Sequence, residues 1–116
     1  MKEREHMATI IPKEQLQNGN LFQGGAYGGI PISFFWMQLP PDEGPSLHFH
    51  PYAEIFVILE GQATFTLGES TLEVAAGNIV IGPANVPHKF SNAGSGILRI
   101  VTLHPSPKTI GTRVED

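Results

Sequence analysis

The stretch Gly44-Pro45-Ser46-Leu47-His48-Phe49-His50-Pro51-Tyr52-Ala53-Glu54 decides the fold of this chain, and Pro87-His88 follows further along. His48 and His50 are two residues apart, so a β-strand would direct both imidazoles to the same face. Glu54 begins an apolar run over residues 54–59. Two imidazoles, a nearby carboxylate and a third histidine, His88, predict a metal site. A lone histidine is more often structural than a metal ligand. The alternative is therefore that these are surface or core histidines that lie close together by chance.

Composition favours one all-β domain spanning residues 1–116, in which we expect residues 1–7 to form a disordered tail. The 13 glycines and 10 prolines among 116 residues separate short apolar runs, which is typical of strands joined by tight turns. About eight to ten such strands indicate a sandwich or barrel. Pro12 and Gly19 bracket a short N-terminal helical turn.

Charge and cysteine content narrow the classes of partner. Seven basic and eleven acidic side chains give a net charge of -4, and no basic stripe is visible, so we expect no nucleic-acid partner. Cysteine is absent, which leaves nitrogen and oxygen atoms as metal ligands. No apolar run has the length of a membrane span and no leader pattern opens the chain, so we expect a soluble cytoplasmic protein without a membrane partner.

Two spaced motifs make the chain resemble a single-domain cupin. The first family motif combines glycine, His-x-His, glutamate and a second glycine, and the corresponding residues are Gly44, His48, His50, Glu54 and Gly61. The second combines glycine, Pro-x-Gly, histidine and asparagine, and the corresponding residues are Gly77, Pro83, Asn85, His88 and Asn92. Gly44 lies closer to His48 than is usual in the family, and Asn85 replaces a glycine. Among residues other than glycine, asparagine best tolerates the left-handed backbone conformation, so we expect the turn at Asn85 to be retained.

The resemblance implies a jelly-roll barrel and one octahedral divalent metal ion. It carries the family's metal ligands to His48, His50, Glu54 and His88, which leaves two positions for water or substrate. Imidazoles suit zinc, copper, iron and nickel, whereas a carboxylate and open positions suit manganese or iron(II). Mn, Fe, Ni and Zn therefore stay open, as does a degenerate site. His6 and His104 lie outside both motifs, and we interpret them as surface residues.

Strand alternation predicts which side chains line a pocket. The candidate pocket residues are Phe56, Phe90, Trp36 and Gln38. The segment 33–39 leaves two parities open, because Phe34, Trp36 and Gln38 alternate with the equally apolar set Phe35, Met37 and Leu39. A mostly apolar pocket suits a small aromatic or aliphatic molecule with an oxygen donor. Lys89 is the one cationic residue within the motifs and faces away from His88, which disfavours a sugar phosphate.

The strand over residues 54–59 is apolar on both faces. Glu54, Phe56 and Ile58 share the inward parity, and Ile55, Val57 and Leu59 share the other. An apolar outer face must be covered, either by the N-terminal segment or by a second subunit. We predict a homodimer.

The sequence favours a divalent-metal-dependent oxidoreductase of the dioxygenase type that acts on a small oxygen-chelating molecule. Glu54 or a bound hydroxide would serve as the base. The alternative is a non-catalytic small-molecule or metal-binding module that uses the same ligands. An isomerase or decarboxylase would need a further acid or base in the pocket, for which the sequence offers no clear residue.

Overall fold

The computed structural model describes residues 8–114, which form two five-stranded antiparallel sheets packed against each other. The strands are β1 (Leu21–Gln23), β2 (Ser33–Leu39), β3 (His48–Phe49), β4 (Glu54–Glu60), β5 (Gln62–Leu67), β6 (Ser70–Ala75), β7 (Ile79–Gly82), β8 (His88–Asn92), β9 (Leu98–His104) and β10 (Thr112–Arg113). One sheet has the order β1-β2-β9-β4-β7 and the other the order β10-β3-β8-β5-β6. The predicted all-β jelly roll is confirmed.

Helical structure in residues 8–114 is limited to two 3₁₀ turns, Lys13–Gln15 and Gly24–Tyr27. The first follows Pro12 directly, so the expected N-terminal helical turn is confirmed. Nowhere in the described part of the chain is there a helix with the length and apolar character needed to span a membrane. The expected tail over residues 1–7, which includes His6, lies outside the described residues.

The N-terminal segment, here residues 13–23, packs on the outer face of β2. The Lys13 ammonium lies 5.3 Å from the centre of the Trp36 ring, and Phe22 stacks on Phe34 at 4.9 Å. This packing requires Phe34 and Trp36 to face away from the barrel interior. The segment therefore covers part of β2, while the outer faces of Ile55 and Leu59 on β4 stay 39% and 54% exposed.

The core lies between the two sheets. Glu54, Phe56 and Ile58 on β4 all point inward and are buried, as strand alternation predicts. The largest contribution comes from a cluster of eight buried apolar side chains from β4, β5, β7, β8 and β9, namely Phe56, Ile58, Ala63, Phe65, Val80, Phe90, Leu98 and Ile100. Within this cluster, Phe56 contacts the ring of His88 from the second motif.

Gly44 and Asn85, where the motifs depart from the family pattern, both occupy positions with a specific backbone requirement. A Cβ on Gly44 would lie 1.8 Å from the Phe90 carbonyl oxygen, so the chain can approach β8 there only with glycine. Asn85 has φ 65°, the left-handed conformation expected for the residue that replaces a motif glycine. Asn92 at the end of β8 is buried, and its side-chain amide donates to the carbonyls of Leu39 and Gly96. These residues stabilise the turns next to the strands that carry the histidines.

We predict that Ile100→Ala lowers the free energy of unfolding by about 2–5 kcal/mol, because it leaves a cavity in a fully buried part of the core. Urea denaturation monitored by circular dichroism measures this difference. Ile10→Ala is the matched control, since Ile10 is 87% exposed and its truncation should change stability by less than about 0.5 kcal/mol. Equal losses in the two variants would contradict the assigned core.

Candidate metal centre

The candidate metal ligands come from both sheets and meet at one end of the barrel. His48 on β3 lies directly opposite His88 on β8 in the antiparallel ladder, and their ring centres are 4.6 Å apart. His50 follows β3, so its imidazole is on the same side as that of His48. Glu54 opens β4 in the opposite sheet. The fold therefore brings together the four residues that the sequence motifs single out.

The donor atoms of these four residues converge closely. One ligand atom from each of His48, His50, Glu54 and His88 lies within 4.8 Å of every other. Glu54 Oε1 is 3.0 Å from His50 Nε2 and 2.9 Å from His88 Nε2. His50, Glu54 and His88 are buried, whereas His48 is half-buried at the edge of the cluster.

Backbone carbonyls determine which imidazole nitrogens carry protons. His48 Nδ1 lies 2.6 Å from the Ser46 carbonyl oxygen, and His50 Nδ1 lies 2.7 Å from that of Ile110. A carbonyl oxygen only accepts, so each Nδ1 must donate a proton to it. In a neutral imidazole the Nε2 atom then carries a lone pair. The Nε2 atoms of His48 and His50 are therefore available as ligands.

The unsatisfied atoms of the cluster fit a bound cation. His50 Nε2, His88 Nε2 and Glu54 Oε1 are fully buried, and none has an aligned hydrogen-bond partner despite the short distances between them. Buried polar atoms almost always have partners, so several orphans around one point require an explanation. Nitrogen lone pairs and a carboxylate oxygen that face one another are the donor set of a divalent metal ion.

The electrostatics of the cluster favour an ionised carboxylate. Burial raises the pKa of Glu54, but the close approach of His104, His50 and His88 outweighs burial and holds this pKa far below its usual range. For His48 the effect of burial has the opposite sign, since it disfavours the protonated imidazole and lowers the pKa. It acts in the same direction on His50, where contacts with Glu54 and the Ile110 carbonyl outweigh it, so the pKa of His50 is raised.

His104 belongs to the cluster, which corrects its interpretation as a surface residue. It is 2% exposed, and its Nε2 atom lies 3.1 Å from Glu54 Oε2. The register that pairs Ile55 with Leu103 brings Glu54 on β4 beside His104 on β9. His104 is the last residue of β9 and shares the inward parity of Thr102. Continuing the strand alternation of residues 98–103 by one residue is the sequence signal that would have indicated this.

A cavity of about 240 Å³ opens beside the cluster. Its walls are formed by eleven residues, namely Phe35, Met37, Pro45, His48, His50, Glu54, Phe90, Thr102, His104, Thr109 and Gly111. None of these wall residues is a lysine or arginine. Thr102 contributes a buried hydroxyl that has no hydrogen-bond partner. The surface of the cavity is thus mostly apolar.

The structure corrects part of the predicted pocket. Phe90 lies in the cavity wall, and Phe35 and Met37 supply the wall from β2. Trp36 and Gln38 are exposed on the outer face of β2, because they have the opposite parity. Phe56 is 1% exposed and packs its ring edge-on against His88, so it supports the cluster from behind and does not line the cavity.

The C-terminal segment, residues 105–114, closes over the cluster. Its β10 strand pairs with β3, so that Arg113 lies opposite His48, and the Ile110 carbonyl orients His50. A Cβ on Gly111 would lie 3.0 Å from two atoms of the His50 ring, which leaves room only for glycine unless the ring shifts. This segment is therefore paired with the barrel through β10.

Comparisons with known proteins agree with this architecture. The family model described as "Cupin domain" matches residues 35–104. An uncharacterized protein of Methanocaldococcus jannaschii is 33% identical over 106 residues, which cover 90% of this chain and 85% of that protein. An uncharacterized protein of Streptomyces coelicolor is 34% identical over 56 residues, which cover 48% of this chain and 53% of that protein.

A solved structure of oxalate oxidase in complex with the substrate analogue glycolate superposes with a TM-score of 0.65 at 20% identity. The match covers 72% of this chain and 46% of that chain, so this chain spans about half the length of the Streptomyces relative and of oxalate oxidase. At this identity the superposition shows a shared fold. Together with the family model and the archaeal relative, it shows that the chain is a member of the cupin family.

Proposed function

We propose that the chain binds one divalent metal ion through His48, His50, Glu54 and His88. The observation that carries this proposal is the convergence of buried donor atoms within 4.8 Å of one another, several of which have no hydrogen-bond partner. A cation between them would satisfy these atoms and balance the charge of a buried carboxylate. Three imidazole nitrogens and one carboxylate oxygen suit Mn, Fe, Ni or Zn.

We further propose that the bound metal serves an oxidoreductase of the dioxygenase type. A metal ion held by these residues would supply Lewis acidity beside the cavity. The cavity of about 240 Å³ is smaller than the roughly 300 Å³ at which drug-sized pockets begin, so a small substrate fits best. Oxalate oxidase, which shares the fold, is described in complex with glycolate, a small oxygen-chelating molecule. A substrate of that chemical kind is consistent with this cavity.

The side chains around the cavity would orient such a substrate. Phe35, Met37 and Phe90 exclude water from one side, and the unpartnered Thr102 hydroxyl can donate a hydrogen bond to a substrate oxygen. The strongly lowered pKa of Glu54 makes its carboxylate a weak proton acceptor, so the proposal gives Glu54 the role of ligand in preference to that of base. The alternative function is a non-catalytic binding module that holds the same kind of ligand.

A homodimer is the proposed assembly. Ile55, Ile79 and Ile81, here called the outer patch, are 39%, 66% and 62% exposed, and Ile55 lies opposite Ile81 in the β4–β7 ladder. Within the described residues β7 is an edge strand of its sheet. An apolar patch beside an unpaired edge matches itself about a two-fold axis, so a second copy of the chain is the proposed cover.

The single domain over residues 1–116, the cytoplasmic location and the absence of nucleic-acid partners also stay predictions.

The first test measures metal binding. We expect the wild type to bind one equivalent of Mn(II) or Zn(II), measured by calorimetry and by elemental analysis after dialysis. His88→Ala should bind more than about 100-fold more weakly, since loss of a ligand exceeds the 10–100-fold effect of losing an outer partner. Ser91→Ala on the outer face of the same strand is the control and should bind like the wild type. Equal binding by His88→Ala would contradict the assigned ligands.

The second test separates the two functions. Protein loaded with Fe(II) or Mn(II) is assayed for oxygen uptake with a panel of phenols, diketones, thiols and small hydroxy acids, against a His48→Ala control. The oxidoreductase proposal predicts substrate-dependent uptake by the wild type that falls at least about tenfold in the control. Metal binding without turnover of any member would instead favour the binding module.

The third test measures oligomeric state by light scattering at micromolar concentration. The wild type should have twice the 12.6 kDa mass of the chain. Ile81→Asp should shift the mass to that of the monomer, because a charge would be buried in the outer patch. Ile10→Asp, at an 87% exposed position, is the control and should stay dimeric. A wild type found only at 12.6 kDa would rule out the dimer.

A further inference from the structure

A series of polar contacts connects the C-terminal segment to Oε2 of Glu54, the carboxylate oxygen on the side away from His50 and His88. The Ile110 backbone N–H donates to the Tyr52 hydroxyl oxygen at 3.1 Å. This hydroxyl lies 2.7 Å from His104 Nδ1, and His104 Nε2 lies 3.1 Å from Glu54 Oε2. Neither Tyr52 nor His104 is among the proposed metal ligands.

The contacts on the two sides of the His104 ring favour one tautomer, because the Glu54 carboxylate on the Nε2 side can only accept a hydrogen bond. The Tyr52 oxygen already accepts from Ile110, and its phenolic proton can be donated to His104 Nδ1. With Nδ1 as the acceptor, a neutral imidazole carries its proton on Nε2. That N–H group lies 3.1 Å from Glu54 Oε2, an oxygen that can only accept. An N–H group has no lone pair to offer a metal ion, so this tautomer makes His104 a donor and not a ligand.

The two oxygens of Glu54 therefore have different surroundings. Oε1 lies among the Nε2 atoms of His50 and His88, and Oε2 lies beside His104. We propose that His104, oriented by Tyr52, is a positioning residue that holds Oε2 and so presents Oε1 alone to the metal ion. This inference rests on the proposed metal-binding function.

The present contact is close but not aligned, since His104 Nε2 is buried without a hydrogen-bond partner of good geometry. The terminal torsion of a glutamate side chain is broad, so a small rotation of the carboxylate aligns Oε2 with the N–H group at little cost. Edge contacts from Phe35 and Tyr52 restrict the His104 ring, so the carboxylate is the part that adjusts.

The test compares zinc affinities, measured by competition with a chelator, for the wild type and three variants. Tyr52→Phe removes the hydroxyl and keeps the ring stacked on His50, His104→Leu removes the donor, and His104→Gln keeps an N–H donor. We expect Tyr52→Phe and His104→Leu to bind zinc about 10–100-fold more weakly, with affinity largely recovered in His104→Gln. Tyr27→Phe is the matched control for loss of a tyrosine hydroxyl and should bind like the wild type.

A second readout counts the imidazoles on zinc by X-ray absorption. We expect three in the wild type and in every variant that binds zinc. Four in the wild type and three in His104→Gln would make His104 a ligand and overturn the inference. Unchanged affinity in both Tyr52→Phe and His104→Leu would also overturn it. Should thermal unfolding of the metal-free protein show that His104→Leu does not fold, the comparison of Tyr52→Phe with Tyr27→Phe decides.

Zinc binding by His48→Ala distinguishes a failure of this inference from a failure of the proposed metal site. If His48→Ala binds zinc as tightly as the wild type, or the wild type binds none, the metal site itself is wrong and the inference is overturned with it. If His48→Ala loses zinc while Tyr52→Phe and His104→Leu keep wild-type affinity, the metal site stands and only the positioning role is wrong.

Discussion

One buried carboxylate is the constraint on which the rest of the structure depends. Glu54 is 3% exposed where the two sheets meet, and an isolated charge at such a position would cost several kcal/mol. The Nε2 atoms of His50 and His88 lie about 3 Å from one of its oxygens and that of His104 lies 3.1 Å from the other, so a cation bound among these groups would compensate the charge. The four residues belong to strands of both sheets or directly follow one, so the cluster exists only once the barrel has closed. Metal binding at this site would therefore also stabilise the closed fold.

The sequence predicts those parts of the fold and site that depend on local rules. Strand alternation places Glu54 inside, because a period of two leaves one choice once a single residue is assigned. The motif spacings predict that His48, His50 and His88 come together with Glu54, and the structure brings them together. The left-handed backbone at Asn85 is likewise a property of one residue and its turn.

The parts that sequence analysis missed depend on non-local packing. Both parities of β2 are apolar, so only the packing of the N-terminal segment on Trp36 shows which one faces out. His104 was assigned to the surface because it lies outside both motifs, and only the pairing of β4 with β9 shows that it is buried beside Glu54. The C-terminal segment is held by backbone hydrogen bonds, such as the one from Val114 to the Leu47 carbonyl. Such bonds use groups that every residue except proline carries in full, so they leave no pattern in the sequence.

The most direct test of the central claim is an anomalous diffraction map from crystals of the zinc-loaded protein, recorded above the zinc absorption edge. We expect a single strong peak about 2.0–2.2 Å from the Nε2 atoms of His48, His50 and His88 and from one carboxylate oxygen of Glu54. A peak bound elsewhere on the chain would contradict it. So would an imidazole at position 88 that points away from the other three residues.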